Sequence, residues 1–157
     1  MGKLFIYPDD NGKNLQPVAD AVYKQMRQKI NLYVDLSFVE PDEIRALNKQ
    51  NRGVDSVTDV LSFPNLDIVR GEILKRKNYP FDYDNAFRSL FLGSIAICEK
   101  KAVEQAKEFG HGTDREIAYL FCHSLLHLFG YDHMEEADKA EMREMEERVL
   151  SALDLTR

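Results

Sequence analysis

Two hydrophobic periods alternate along the first hundred residues. Lys3-Leu-Phe-Ile-Tyr7 reads as a short strand, and Val18, Val22 and Met26 then recur at the four-residue spacing of one buried helix face. Leu32-Tyr-Val-Asp-Leu-Ser-Phe-Val39 alternates and is rich in β-branched and aromatic residues, so it predicts a second strand. Pro41 with Asp42 and Glu43 has the composition of a helix first turn, and Gly53 lies shortly beyond the end of that helix. Val57 to Phe63 predicts a third strand, stopped by Pro64, and Leu92 to Cys98 a fourth. Between them, Asn65 to Phe91 is long, charged and carries aromatic residues, as functional or mobile loops do.

The remainder reads as helix. Glu99 to Phe109 is closed by Gly110, and Thr113-Asp-Arg-Glu116 has the form of a capping box that opens the next helix. Met134 to Leu153 forms the last, with Met142, Met145, Val149 and Leu153 as a core-facing stripe. This order predicts an α+β fold, a small mixed four-stranded sheet covered by helices. A length of 157 residues at 44% hydrophobic content suits one domain, residues 1–157, with its own core.

The helix that starts near Thr113 carries the chemistry. All but one of the four histidines fall in His123-Ser-Leu-Leu-His127-Leu-Phe-Gly130-Tyr131-Asp132-His133. Residues four apart share a helix face, so His123 and His127 can point at one centre. Gly130 tolerates the left-handed conformation that ends helices, which lets the chain turn and bring His133 back. Three imidazoles with an open fourth position describe a catalytic zinc site better than a closed structural one. Imidazole also suits nickel and copper, so spacing alone leaves the metal open. A metal so held lowers the pKa of water from 15.7 to roughly 7, which serves hydrolysis of a carbonyl or phosphorus centre.

The spacing, glycine included, matches the H-E-x-x-H-x-x-G-x-x-H pattern of metzincin proteases. Ser124, however, stands where those proteases place their glutamate base, and no other acid lies between His123 and His127. A hydroxyl cannot serve as that base at neutral pH, so proteolysis becomes the alternative to another metal-dependent hydrolysis.

Charge and cysteine usage narrow the setting. The net charge of −6 argues against a generally basic nucleic-acid binder. Met134 to Arg157 holds eight acidic and four basic residues, whereas Arg70 to Arg88 holds five basic and three acidic, with Lys75, Arg76 and Lys77 consecutive. That stretch is either a local basic patch or a solvated loop. Cys98 and Cys122 alone fit a reducing cytosol better than a disulfide framework, and Cys122 is expected to act as a small core hydrophobe. No apolar run approaches the length of a membrane span and no secretory segment opens the chain, so a cytoplasmic protein without membrane partners is expected.

The histidine block resembles the H-G-x-L-H-L-x-G-Y-D-H signature of the YbeY-type endoribonucleases, the bacterial rRNA maturation factors. A second block strengthens the likeness. Leu47-Asn48, Arg52-Gly53-Val-Asp55 and Thr58-Asp59-Val60-Leu61-Ser62-Phe63-Pro64 resemble the family's L-N-x-x-Y-R-G-x-D-x-P-T-D-V-L-S-F-P. Leu92-Gly93-Ser94-Ile95-Ala96-Ile97 resembles its L-G-D-I-x-I strand, and Gly110-His111 followed by Arg115-Glu116 also fits. The ordered matches run from about residue 42 to about residue 146. Asn51, Val57, Ser94 and Ser124 depart from the family's tyrosine, proline, aspartate and glycine. Asn65 to Phe91 shows no alignable pattern.

The resemblance implies a zincin-like metal helix and a metal-dependent, single-strand-specific endoribonuclease acting in 16S rRNA maturation and ribosome quality control. It implies zinc as the usual metal, one Zn2+ per chain on His123, His127 and His133; Ni2+ stays a candidate on imidazole chemistry alone. It also implies a catalytic arginine at Arg52, whose planar fork suits phosphate oxygens, against the alternative of an arginine that only closes the Pro41 helix. Implied partners are single-stranded RNA, rRNA above all, and the small ribosomal subunit or its assembly factors. Asp132 can support a ligand or cap the broken helix end, and His111 can touch substrate or hold its turn. Asp59 and Ser62 lie in the third strand and are expected to pair or hydrogen-bond there. A non-enzymatic ribosome-assembly adaptor with a structural metal is the third reading.

Overall fold

In the structure, a computed structural model, residues 2–132 and 134–155 are described. The elements follow one another as β1 (Leu4–Tyr7), α1 (Gln16–Gln25), β2 (Leu32–Phe38), α2 (Pro41–Arg52), β3 (Val60–Pro64), β4 (Tyr83–Asp84), β5 (Ser89–Ile97), α3 (Glu99–Phe109), α4 (Thr113–Leu128) and α5 (Glu136–Ala152). A 3-10 turn, Arg76–Asn78, precedes β4. The class is α+β, with five helices on a mixed sheet.

The sheet has order β1-β2-β5-β3, with β1, β2 and β5 parallel and β3 antiparallel to β5. It has five strands among the described residues rather than the four expected. The added one, β4, is two residues long and exists through its pairing with Leu90 and Ser89, which no local pattern announces. Ser89 to Phe91 accordingly belong to the strand expected to start at Leu92, and Cys98 caps α3 instead of ending that strand. The third strand begins at Val60, not Val57. Asp59 closes the turn before it, accepting a hydrogen bond from the Val60 amide at 2.7 Å and from the Thr58 hydroxyl at 3.2 Å. Pro64 is the strand's last residue and sits on the sheet edge, where a missing N–H costs no ladder bond.

The strand side chains divide between two faces. Leu4, Leu32, Val34, Leu36, Leu90, Leu92, Ile95 and Ile97 join Val18 and Val22 of α1 and the apolar positions of α4 in one continuous core. On the other face, Ile44 and Leu47 of α2 pack on Leu61 and Phe63 and cover only the β3 half. Both cysteines are free and buried, Cys122 in the main core and Cys98 in the smaller cluster. Burial pushes the Cys122 thiol well above its ordinary range, with the Glu146 carboxylate adding to the effect.

The capping box at Thr113 does not form. Gly112 takes the N-cap position without a side-chain cap, and Glu116 turns inward to meet Nε2 of His111 at 2.9 Å. Glu116 is fully buried, so it needs a partner, and the preceding Gly-His-Gly turn supplies one. No described helix is long and apolar enough to cross a membrane.

Candidate active site

α4 is buried along most of its length, with Ile117, Phe121, Leu125 and Leu126 inaccessible to solvent. His123 and His127 occupy the stripe that stays half-exposed, one turn apart, and their rings are nearly perpendicular at 86°. Their Nε2 atoms lie 3.1 Å from each other. One turn earlier, the Tyr119 ring stacks beside His123 at 6.0 Å between centroids.

Each imidazole is fixed from behind. Nδ1 of His123 lies 2.5 Å from Oε2 of Glu146 on α5, and Nδ1 of His127 lies 3.0 Å from the Tyr131 carbonyl oxygen. A carboxylate and a carbonyl can only accept, so Nδ1 of each ring donates. The neutral tautomer that satisfies both contacts leaves a lone pair on each Nε2. Two lone pairs converging at 3.1 Å suit a shared cation, and two nitrogens about 2.0–2.1 Å from a tetrahedral zinc would lie about 3.3 Å apart. Outer carboxylate and carbonyl partners of this kind are what metal-ligating histidines normally have. The residues present therefore fit a zinc-class ion.

His133, the expected third ligand, lies outside the described residues. Among the described residues no three histidine, cysteine or acidic side chains converge on a point, so they supply two of the three expected ligands.

The turn that follows α4 is built on glycine. Gly130 has φ +96°, and a Cβ there would meet the Ile68 carbonyl oxygen at 2.6 Å. That close approach seats the chain so that the Tyr131 carbonyl reaches His127, and it brings residues 66–70 against the site. Arg70 holds the same segment to α5 through Asp138 at 3.1 Å and Glu141 at 3.2 Å.

The histidines open into a cleft of about 650 Å³. β3 forms one wall, and Thr58, Asp59, Arg52 and Asp132 contribute polar groups to its lining. Arg52 ends α2, next to Gly53 in the left-handed conformation, and is exposed with no carboxylate within 4.0 Å among the described residues. It thus closes its helix and also lines the cleft into which the histidines open.

Comparison with known proteins decides the family. The family model "Endoribonuclease YbeY" matches residues 6–154. The chain belongs to the YbeY family. The endoribonuclease YbeY of Clostridium acetobutylicum is 44% identical over 153 residues, spanning 95% of this chain and 92% of that protein. A Clostridium perfringens YbeY is 42% identical over 148 residues, covering 92% and 88% respectively. A solution structure from Thermotoga maritima covers 98% of this chain and 92% of its own, with a TM-score of 0.55 and 24% identity, a likeness of fold.

Against the YbeY pattern, the site residues separate clearly. Arg52, His123 and His127 come together in one cleft. Asp132 lines it, exposed, while His111 is held in its turn by Glu116 and does not line the cleft. Ser62 lines the cleft, and Asp59 does so while capping β3. Ser124 is fully buried and its hydroxyl has no hydrogen-bond partner among the described residues, so it points into the core rather than toward the histidines.

Glu146 and the Tyr131 carbonyl complete the site from outside the histidine spacing. Glu146 did leave a signal: it lies four residues after Met142 and three before Val149, an acid within a buried stripe. An acid in that position needs a partner, and His123 is the one it has. The Tyr131 interaction runs through backbone and has no side-chain signature.

Proposed function

We propose that this chain is a metal-dependent, single-strand-specific endoribonuclease that acts in the cytoplasm on 16S rRNA precursors and in ribosome quality control. The observation that carries the reading is the convergence of two imidazole Nε2 atoms in the same cleft as an arginine that has no carboxylate within 4.0 Å among the described residues. Membership of the YbeY family supports RNA as the substrate. Zinc is the proposed metal, with nickel as the alternative, and His133 the proposed third ligand. When bound, such an ion supplies Lewis acidity and makes water acidic enough to furnish a nucleophile at neutral pH.

The chain's own residues divide the remaining work. His123 and His127 present their Nε2 lone pairs to the ion, held in that tautomer by Glu146 and the Tyr131 carbonyl. Arg52 binds the scissile phosphate through its fork of donors and stabilises the negative charge that grows on the phosphoryl oxygens. Thr58 and Asp132 border the same opening, where they can contact the ribose-phosphate chain. The small ribosomal subunit or an assembly factor is the proposed source of target recognition, because the net charge of −6 opposes strong unaided RNA binding.

The test is cleavage of a labelled single-stranded RNA by zinc-loaded protein, with metal content measured on the same samples. Cleavage is expected for the wild type and is abolished in His127→Ala. Intact RNA alongside cleavage of unfolded peptides would replace the reading with a peptidase. Intact RNA and intact peptides, with histidine substitutions lowering only stability, would make the metal structural and the protein an assembly adaptor.

A further inference from the structure

The basic stretch between Arg70 and Arg88 does not act as one patch. Arg70 is engaged by Asp138 and Glu141 beside the histidine cleft. Arg76 and Arg88 instead lie beside β4 and the start of β5. There, with Lys29, Gly2, Ile30, Asn31 and Tyr83, they line a second cleft of about 300 Å³. No acidic residue lines it, and none of the three cations has a carboxylate within 4.0 Å among the described residues. The Arg76 guanidinium lies 3.8 Å above the Tyr83 ring, which holds it in place without neutralising it.

This cleft adjoins the half of the sheet that α2 leaves open. On that face, Phe5 of β1, Tyr33 of β2 and Phe91 of β5 are cross-strand neighbours in one row. Phe87, from the β4–β5 turn, joins Tyr33 at 5.0 Å and Tyr7 at 4.7 Å between ring centroids. Phe5, Tyr7 and Phe87 keep 42%, 47% and 42% of their surface exposed. Lys3 lies over Phe5 at 5.9 Å, and its backbone amide donates to Asn31 of the cleft wall, so rings and cations are continuous. Two acids border the row. Asp84 accepts from the Ala86 and Phe87 amides at 2.8 and 3.1 Å, and Asp35 stands beside Tyr7 in the register.

We propose that this aromatic sheet face and the Lys29–Arg76–Arg88 cleft form a second binding surface for single-stranded RNA, separate from the histidine cleft. Exposed rings on a sheet offer stacking area to unpaired bases, and unneutralised cations at its end take the phosphates. A duplex has its bases stacked inside and gains only the charges. The two clefts share no lining residue, and they lie at different ends of β5, one beside Ser89 and Leu90 where β4 pairs, the other beside residues 93–97 where β3 pairs. The surface would hold a segment of the strand remote from the scissile bond. The proposal rests on the endoribonuclease reading for its choice of RNA.

The experiment compares the whole chain with the triple variant Lys29→Gln/Arg76→Gln/Arg88→Gln and with Phe5→Ala, each checked for an unchanged melting temperature. Affinity for a fluorescent 20-nucleotide oligouridine is read by anisotropy across a KCl series, with vesicles containing anionic phosphatidylserine as a second probe. For the triple variant, the slope of log K against log[KCl] should fall by about 2, near 0.7 for each phosphate that is no longer neutralised. Phe5→Ala should weaken binding several-fold at unchanged slope. Cleavage should show a raised KM at unchanged kcat in both variants. Equal affinity and slope in wild type and triple variant would overturn the proposal, as would binding to the vesicles but not to RNA. A wild type that binds RNA through this surface but never cuts it would sink the endoribonuclease reading and leave the surface standing.

Discussion

Nδ1 of His123 on α4 and Oε2 of Glu146 on α5 lie 2.5 Å apart, joining two helices at the point where the histidines converge. Glu146 is buried, and its carboxylate fixes both the ring orientation and the tautomer of His123. Replacing it with alanine should lower zinc affinity by about 10–100-fold in competition with a chromophoric chelator. Nitrogen-15 spectra of the imidazoles supply a readout a merely structural role would not move. His123 should shift from a single Nδ1–H form toward a mixture, while His127 keeps its signal. Unchanged affinity with an unchanged His123 spectrum would remove Glu146 from the site.

Gly130→Ala should destabilise the protein by about 2–4 kcal/mol, combining the positive φ with the clash against Ile68. Chemical denaturation measures this directly. Because the same turn carries the Tyr131 carbonyl to His127, metal affinity should fall in the folded fraction as well.

Ser124→Ala should raise stability by about 1 kcal/mol, since it deletes a buried hydroxyl that has no partner among the described residues. For a chain of this size that is about 2–4 °C in Tm, with RNA cleavage unchanged. Ser124→Glu should instead unfold or strongly destabilise the chain, because it forces a carboxylate into the core. It should not create peptidase activity.

Arg52→Ala should reduce kcat/KM for RNA by about 10²–10³-fold, the usual cost of removing one preorganised charge-stabilising donor. The residue is exposed, so stability should change by no more than about 0.5 kcal/mol. Arg52→Lys should fall between, keeping the charge but losing the fork. A full-activity Arg52→Ala would show that the arginine only closes α2.

The α+β class, all five helices and the existence of four strands were legible in the pattern of apolar positions, because helix and strand periods are local properties of a chain. The His123–His127 pairing was legible for the same reason: a four-residue spacing fixes a shared face whatever the helix packs against. Gly130 marked the break after α4 through its own backbone freedom. Departures arose where a partner distant in sequence decided the outcome. Glu116 gave up its capping role because burial bound it to His111. β4 exists only through Leu90 and Ser89, and Val57 to Asp59 left the third strand when Asp59 turned to cap it.

The sequence by itself put His123 and His127 on one helix face and set Arg52 at the end of α2. The tertiary structure alone placed Arg52 in the cleft of the histidines, set Glu146 behind His123, and split the Arg70–Arg88 cations between α5 and a second cleft. The physical reason is range. Backbone periodicity acts over a few residues, whereas a buried carboxylate or an unneutralised cation is defined by neighbours that only the folded chain assembles.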